Sequence, residues 1–175
     1  MKVLPRTEFG NSILRTKTKN VTYQTIRSKE FQNLIRQMVY TMRRTGGVGI
    51  AAPQIGKSLR VAVMEMRPTK TRPGLVHKGP LTIINPKILR RSSSSATDWE
   101  GCLSFPGPFG RVPRARWIDV EYVNESGEKT RERFSGLWAR IFQHELDHLD
   151  GVVYTERMTD MKTLITKKEL LKLRT

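Results

Sequence analysis

His144-Glu145-Leu146-Asp147-His148 gathers two of the chain's three histidines into five residues. On a helix His144 and His148 stand one turn apart on the same face, so both imidazoles can reach one cation. Glu145 lies beside them, placed to handle protons without being a ligand. The bland alternative is an amphipathic helix whose histidines are satisfied by backbone carbonyls. A hydrolytic metal normally has three protein ligands and a fourth position open to water, so two histidines leave one ligand to find. No histidine follows His148, and the acids downstream are Asp150, Glu156, Asp160 and Glu169. Choosing Glu169 gives a zinc metallopeptidase with His144, His148 and Glu169 as ligands. The other candidate is the only cysteine, Cys102, in Glu100-Gly101-Cys102-Leu103-Ser104. A thiolate is a good soft ligand, and the preceding glycine allows close backbone approach. Spacing alone leaves both choices open.

These residues need elements to hold them. Ser28 can cap a helix on which Phe31, Leu34, Ile35, Met38 and Met42 follow helical spacing, with Gly46 and Gly47 ending it. Residues 59–64 and 81–84 read as strands, the second stopped by Asn85-Pro86, and residues 90–95 as a short loop. Residues 117–124 and 128–134 alternate around Ser126-Gly127 as a hairpin. The histidine motif falls on a helix over residues 135–149, closed by Gly151, and a shorter basic helix is expected over residues 160–173. Strands and hairpins with few helices indicate an α+β fold with largely antiparallel sheets.

The 175 residues, 37% of them hydrophobic, fit one domain spanning residues 1–175 with a real core. No stretch approaches the ~18 uninterrupted apolar residues of a membrane span. The amino terminus lacks the apolar run of a secretory signal, so a cytoplasmic protein is expected, without membrane attachment. One cysteine excludes an intrachain disulfide. The net charge of +16 favours a polyanionic partner, against a merely self-repelling surface.

Three segments in order resemble the signature of the peptide deformylase family: Gly47-Val48-Gly49-Ile50-Ala51-Ala52-Pro53-Gln54, Glu100-Gly101-Cys102-Leu103-Ser104 and Gln143-His144-Glu145-Leu146-Asp147-His148. The resemblance extends over nearly the whole chain. It implies antiparallel sheets packed around a central metal-binding helix, with Cys102, His144 and His148 holding one divalent ion. Ferrous iron is the implied native ion, with zinc, nickel or cobalt as substitutes. It further implies that Glu145 is the general base and acid in removing the formyl group from the initiator methionine of nascent polypeptides. Gln54 and the backbone N–H of Leu103 are the implied oxyanion donors. One departure stands out: Phe109 occupies a position where some members carry arginine, which bears on the outer substrate contacts.

The expected substrate contacts are Gly47, Val48, Gly49, Glu100, Leu137 and Ile141. Glycines at 47 and 49 let a peptide lie against the main chain by strand addition, which reads geometry and not side chains. Leu137 and Ile141 precede His144 by seven and three residues and share its helical face, suiting them to an apolar pocket for methionine, with Val48. Lys162 to Arg174 forms a basic amphipathic tail whose lysines either face solvent or dock the protein on the ribosome.

Overall fold

The computed structural model describes residues 1–71 and 73–173. Thr22 caps a short helix, α1 (Tyr23–Arg27), and Ser28 caps α2 (Lys29–Arg44), its side chain accepting from the Phe31 N–H at 3.2 Å. Phe31, Ile35, Met38 and Met42 are buried, as their helical spacing predicts, and Leu34 packs against them. Then follow β1 (Gly49–Ala51), β2 (Val61–Met66), β3 (Lys78–Arg91), β4 (Ser95–Cys102), β5 (Phe105–Ala115), β6 (Trp117–Val123) and β7 (Lys129–Ser135). The histidine helix is α3 (Gly136–Leu149), and β8 (Ile165–Thr166) and α4 (Lys167–Lys172) close the described chain.

Every named strand pair is antiparallel. One sheet has the order β1-β2-β3-β6-β7, the other β4-β5-β8. The large sheet is covered on both faces around β2. Ala62 and Met64 pack with Ile118, Val120 and Phe134 against Trp138, Ile141 and Phe142 of α3. Val61 and Val63 point the other way, onto Ile35, Met38 and Met42 of α2. A strand buried on both faces needs a continuous apolar run, which 61–64 supplies. Each fully buried large side chain in these layers contributes roughly 1.5–3 kcal/mol. The α+β class with antiparallel sheets around the histidine helix is thus the observed architecture. Among the described residues no helix is long and apolar enough to cross a membrane.

Several boundaries differ from expectation for identifiable reasons. Asn85-Pro86 does not stop β3: Asn85 takes φ 50°, the ladder to β6 shifts register between Ile84 and Lys87, and the strand continues as a bulge. The Asn85 side chain is held there by the Val21 N–H and C=O, both at 2.8 Å. The β4–β5 hairpin was not foreseen because Pro106, Gly107, Pro108, Gly110 and Pro113 are poor strand residues. Beyond β4, β5 pairs only with the two residues of β8, and such a nearly open edge tolerates proline. The basic helix expected over 160–173 is replaced by a 3-10 turn (Met161–Thr163), β8 and α4. Pairing of Ile165 with Phe109 breaks the helix, and the Thr166 side chain caps its remainder. Arg174, part of the basic tail, lies outside the described residues.

Candidate active site

Three separate elements deliver the reactive groups to one cleft. Cys102 ends β4 at a register shift from Gly101, and the next residues turn back into β5. His144, Glu145 and His148 come from α3. Gln54 sits in a 3-10 turn (Ala52–Ile55) directly after β1. Cys102 Sγ is 3.2 Å from His148 Nε2, and the donor atoms of Cys102, His144 and His148 all lie within 4.8 Å of one another. His144 Nδ1 is engaged by Glu100 at 2.9 Å, which leaves Nε2 to face the thiol. Glu169 is not in this group: it is exposed on α4 and pairs with Lys172.

Glu145 is 3% exposed, and its Oε2 has no hydrogen-bond partner among the described residues. Burial raises its pKa to about 7, against the pull of His144 and His148. A buried carboxyl with a spare oxygen beside a thiol and two imidazoles suits a dication and its water. Sulfur and nitrogen donors 3.2 Å apart also match bonds of about 2.0–2.3 Å to a single ion. The residues therefore fit a metal of the zinc or iron type. The thiol is prepared for it: burial alone would raise its pKa, but His148 and His144 more than offset that and hold it well below its usual range.

The cleft is about 260 Å³ and is lined by Gly47, Val48, Gly49, Leu103, Leu137 and Ile141, among others. Gln54 Oε1 accepts the Ala51 N–H at 2.8 Å, which aims its amide nitrogen at Cys102 Sγ (3.4 Å) and Ser104 Oγ (3.3 Å). Leu103 is fixed through its carbonyl, which accepts from Arg6 at 3.2 Å. The glycines are close-approach positions. A Cβ on Gly49 would lie 2.1 Å from Glu145 Oε1, and one on Gly47 would lie 2.7 Å from Leu103 Cδ1.

Glu100, expected as a substrate contact, has its carboxylate engaged by other side chains. The residue borders the cleft, but its side chain is 5% exposed and committed inward. It accepts from Arg114 at 3.0 and 2.9 Å, from Arg140 at 2.7 Å and meets His144 Nδ1. Burial would raise its pKa, but His144 and Arg114 hold it far below the carboxylate range. Arg114 continues to Asp147, which Arg157 also grips at 2.8 Å. An ionised chain thus runs Arg140–Glu100–Arg114–Asp147–Arg157 behind the two histidines. Sequence reasoning missed Arg114, Arg140, Asp147 and Ser104. Arg140, one turn before His144 in an otherwise apolar stripe, carried a signal, since an arginine on a buried face demands a partner. Arg114 carried none.

The sequence matches the Polypeptide deformylase family over residues 3–164. Peptide deformylase 2 of Nostoc sp. is 39% identical over 168 residues, 96% of this chain and 93% of that protein. The peptide deformylase of Roseiflexus castenholzii is 45% identical over 145 residues, 79% of this chain and 78% of that one. The crystal structure of a class I type b peptide deformylase from Acinetobacter baumannii, bound to Met-Ala-Ser, superposes with a TM-score of 0.87 at 38% identity, covering 90% of this chain and 99% of its own. With this fold, these three motifs and this thiol–histidine cluster, the chain belongs to the peptide deformylase family.

Proposed function

We propose that this enzyme removes the formyl group from the initiator methionine of nascent polypeptides and releases formate, using one divalent ion on Cys102, His144 and His148. The observation that carries the reading is the meeting of a thiol from β4 with two imidazoles from α3, beside a buried Glu145. The bound dication would lower the pKa of a water molecule and polarise the formyl oxygen. Glu145 takes the water's proton and passes it to the departing amine, a role suited to a carboxyl whose pKa is lifted towards neutrality. The Gln54 amide and the Leu103 N–H stabilise the developing oxyanion; removing one such donor typically costs on the order of 10²–10³ in turnover.

The peptide itself is read by shape. β1 is an edge strand of the large sheet, and Gly47 and Gly49 keep its approach free of side chains. A substrate strand can add there through main-chain hydrogen bonds, with methionine against Val48, Leu137 and Ile141. The Met-Ala-Ser found on the Acinetobacter protein supports a peptide of this kind. Ferrous iron is the proposed native ion, with zinc, nickel or cobalt able to replace it. Activity should decay in air more slowly for a nickel-loaded than for an iron-loaded sample, and equal rates would argue against an oxidisable centre. The proposed setting is the cytoplasm, at the ribosome, where Lys162, Lys167 and Lys168 of the tail supply positive charge. Ribosome co-sedimentation of a variant with Lys162 and Lys168 replaced by Gln tests that contact.

Formate release from formyl-Met-Ala-Ser, with anaerobic metal analysis of the same sample, tests the whole reading. Glu145→Ala should keep its metal and lose hydrolysis. Full hydrolysis by that variant, or no formate from the metal-loaded parent, would overturn it.

A further inference from the structure

The positive charge of this chain is not spread evenly, and one concentration of it lies away from the cleft. α2 covers the large sheet at β1, β2 and the adjoining positions Ile84 of β3 and Val123 of β6, and α1 and α2 meet the turn of the β6–β7 hairpin through Gln32 to the Glu125 carbonyl at 3.0 Å and Tyr23 against Gly127. Beyond that turn the same face of β3, β6 and β7 carries charged side chains where a helix would otherwise lie. Register fixes their arrangement. Lys87, Glu121 and Arg131 form one row across the three strands, and Arg90, Asp119 and Arg133 form the next. In each row the carboxylate is on the middle strand with a cation on either side, and Lys129 adds a further contact to Glu121 at 3.4 Å.

Depth separates the two signs. The side chains of Glu121 and Asp119 are 6% and 16% exposed, whereas those of Lys87, Arg90, Lys129, Arg131 and Arg133 are 54–75% exposed. Solvent therefore meets a layer of cations with the acids sunk beneath it. The buried carboxylates hold the basic side chains in fixed places, and five cations over two carboxylates leave the face positive. Alternate residues along β7 lie about 6.8 Å apart, a spacing comparable with successive phosphates of an extended nucleic acid strand. Arg133 adds a second feature, because its guanidinium carbon lies over the Trp117 ring, 3.9 Å from the centroid. A guanidinium plane held this way can take a nucleobase on its other side, which a lipid headgroup cannot exploit.

We propose that the exposed face of β3, β6 and β7 is an RNA-binding surface, on which Lys87, Arg90, Lys129 and Arg131 meet phosphates and the Arg133–Trp117 stack receives a base. It is independent of the hydrolytic reading, since none of these residues lines the cleft.

The test uses the full-length, metal-loaded enzyme and a fluorescein-labelled 20-nucleotide oligouridylate, with affinity measured across a salt series. In the variant Lys87→Gln/Arg90→Gln/Lys129→Gln, Glu121 keeps Arg131 and Asp119 keeps Arg133, so no carboxylate is left bare. Formate release from a short formyl peptide checks that the variant is folded. A second variant, Lys2→Gln/Lys17→Gln/Lys57→Gln, removes the same charge from exposed positions elsewhere. Loss of three phosphate contacts should weaken binding about tenfold or more and reduce the slope of log K against log salt by about 2. The second variant should lose no more than about threefold. Equal losses in the two variants, no loss in the first, or binding to phosphatidylserine vesicles without binding to RNA would each overturn the proposal.

Discussion

Replacing Gly49 by alanine tests how tightly the proposed base is held. The backbone accepts the change, because Gly49 is not among the residues with positive φ. The new methyl is the obstacle: its carbon would lie 2.1 Å from Glu145 Oε1, 2.7 Å from Cδ and 3.0 Å from Cγ. Ordinary contact begins at 3.4 Å. The carboxylate oxygen must therefore retreat by more than about 1 Å, a displacement that can cost on the order of 10²-fold in rate for a reacting group. That corresponds to about 2.7 kcal/mol of transition-state stabilisation.

The loss should fall on kcat, because the methyl is directed at Glu145 and the backbone N–H and C=O offered to the peptide are unchanged. Metal content should not change, since the three atoms nearest the methyl all belong to Glu145 and none to Cys102, His144 or His148. Formate release under saturating peptide, with metal analysis on the same samples, reads both. Glu145→Asp supplies the cross-check, because its carboxylate is one methylene shorter and already withdrawn from Gly49. In that background Gly49→Ala should cost less than about fivefold, a strongly non-additive cycle. The reasoning is refuted if Gly49→Ala alone stays within about threefold of the parent. It also fails if the penalty is the same in both backgrounds, or if the loss lies wholly in KM.

Other outcomes follow from the groups behind the cleft. Cys102→Ala should abolish metal retention after dialysis whereas Glu169→Ala should leave it intact; the reverse pattern would favour a different ligand set. Glu100→Gln should weaken metal affinity about 10–100-fold by removing the charged partner of His144. It should also lower the denaturant midpoint, since breaking a buried ion pair typically costs roughly 3–5 kcal/mol and Arg140 would lose its carboxylate while Arg114 keeps only Asp147. Unchanged affinity in a chelator competition would remove Glu100 from the metal site. Glu100 and Asp147 have folded-state pKa values below their ordinary ones, although burial alone would push both up: His144 and Arg114 lower Glu100, and Arg157 and Arg114 lower Asp147. The unfolded chain thus takes up protons first as pH falls, so their stabilisation is full above the ordinary carboxylate range. It is lost as pH drops through about 4 towards the folded values. A midpoint independent of pH between 6 and 3 would contradict this.

What the sequence disclosed and what it concealed divide along chain distance. The α2 helix, the β6–β7 hairpin and α3 were legible because capping, alternation and helical spacing act within a few residues. The imidazole pair was legible for the same reason, being one turn of α3. Cys102 meeting that pair is a contact across more than forty residues, and only the resemblance of three ordered motifs anticipated it. The β4–β5 hairpin escaped because its prolines and glycines suit a nearly open edge, and openness is a property of the sheet and not of the segment. The tail was misjudged because β-pairing with Phe109 overrode a helical pattern in residues 160–173.

The excess of positive charge had a cause that composition conceals. Glu65 is buried and pairs with Arg43, Arg67 and His77; Glu100 takes Arg114 and Arg140; Asp147 takes Arg114 and Arg157. A carboxylate withdrawn from water must recover its solvation from fixed partners, and two guanidiniums do this more fully than one. Such clusters carry residual positive charge without being binding surfaces, so a part of the +16 belongs to the interior architecture. The clusters differ in how their cations sit: Arg114 and Arg140 on Glu100 are buried, Arg43 on Glu65 and Arg157 on Asp147 are about half-exposed, and the five cations over Glu121 and Asp119 are 54–75% exposed side by side on one face. A contiguous row of solvent-exposed cations, more than net charge, therefore separates a surface able to meet a polyanion from a structural cluster.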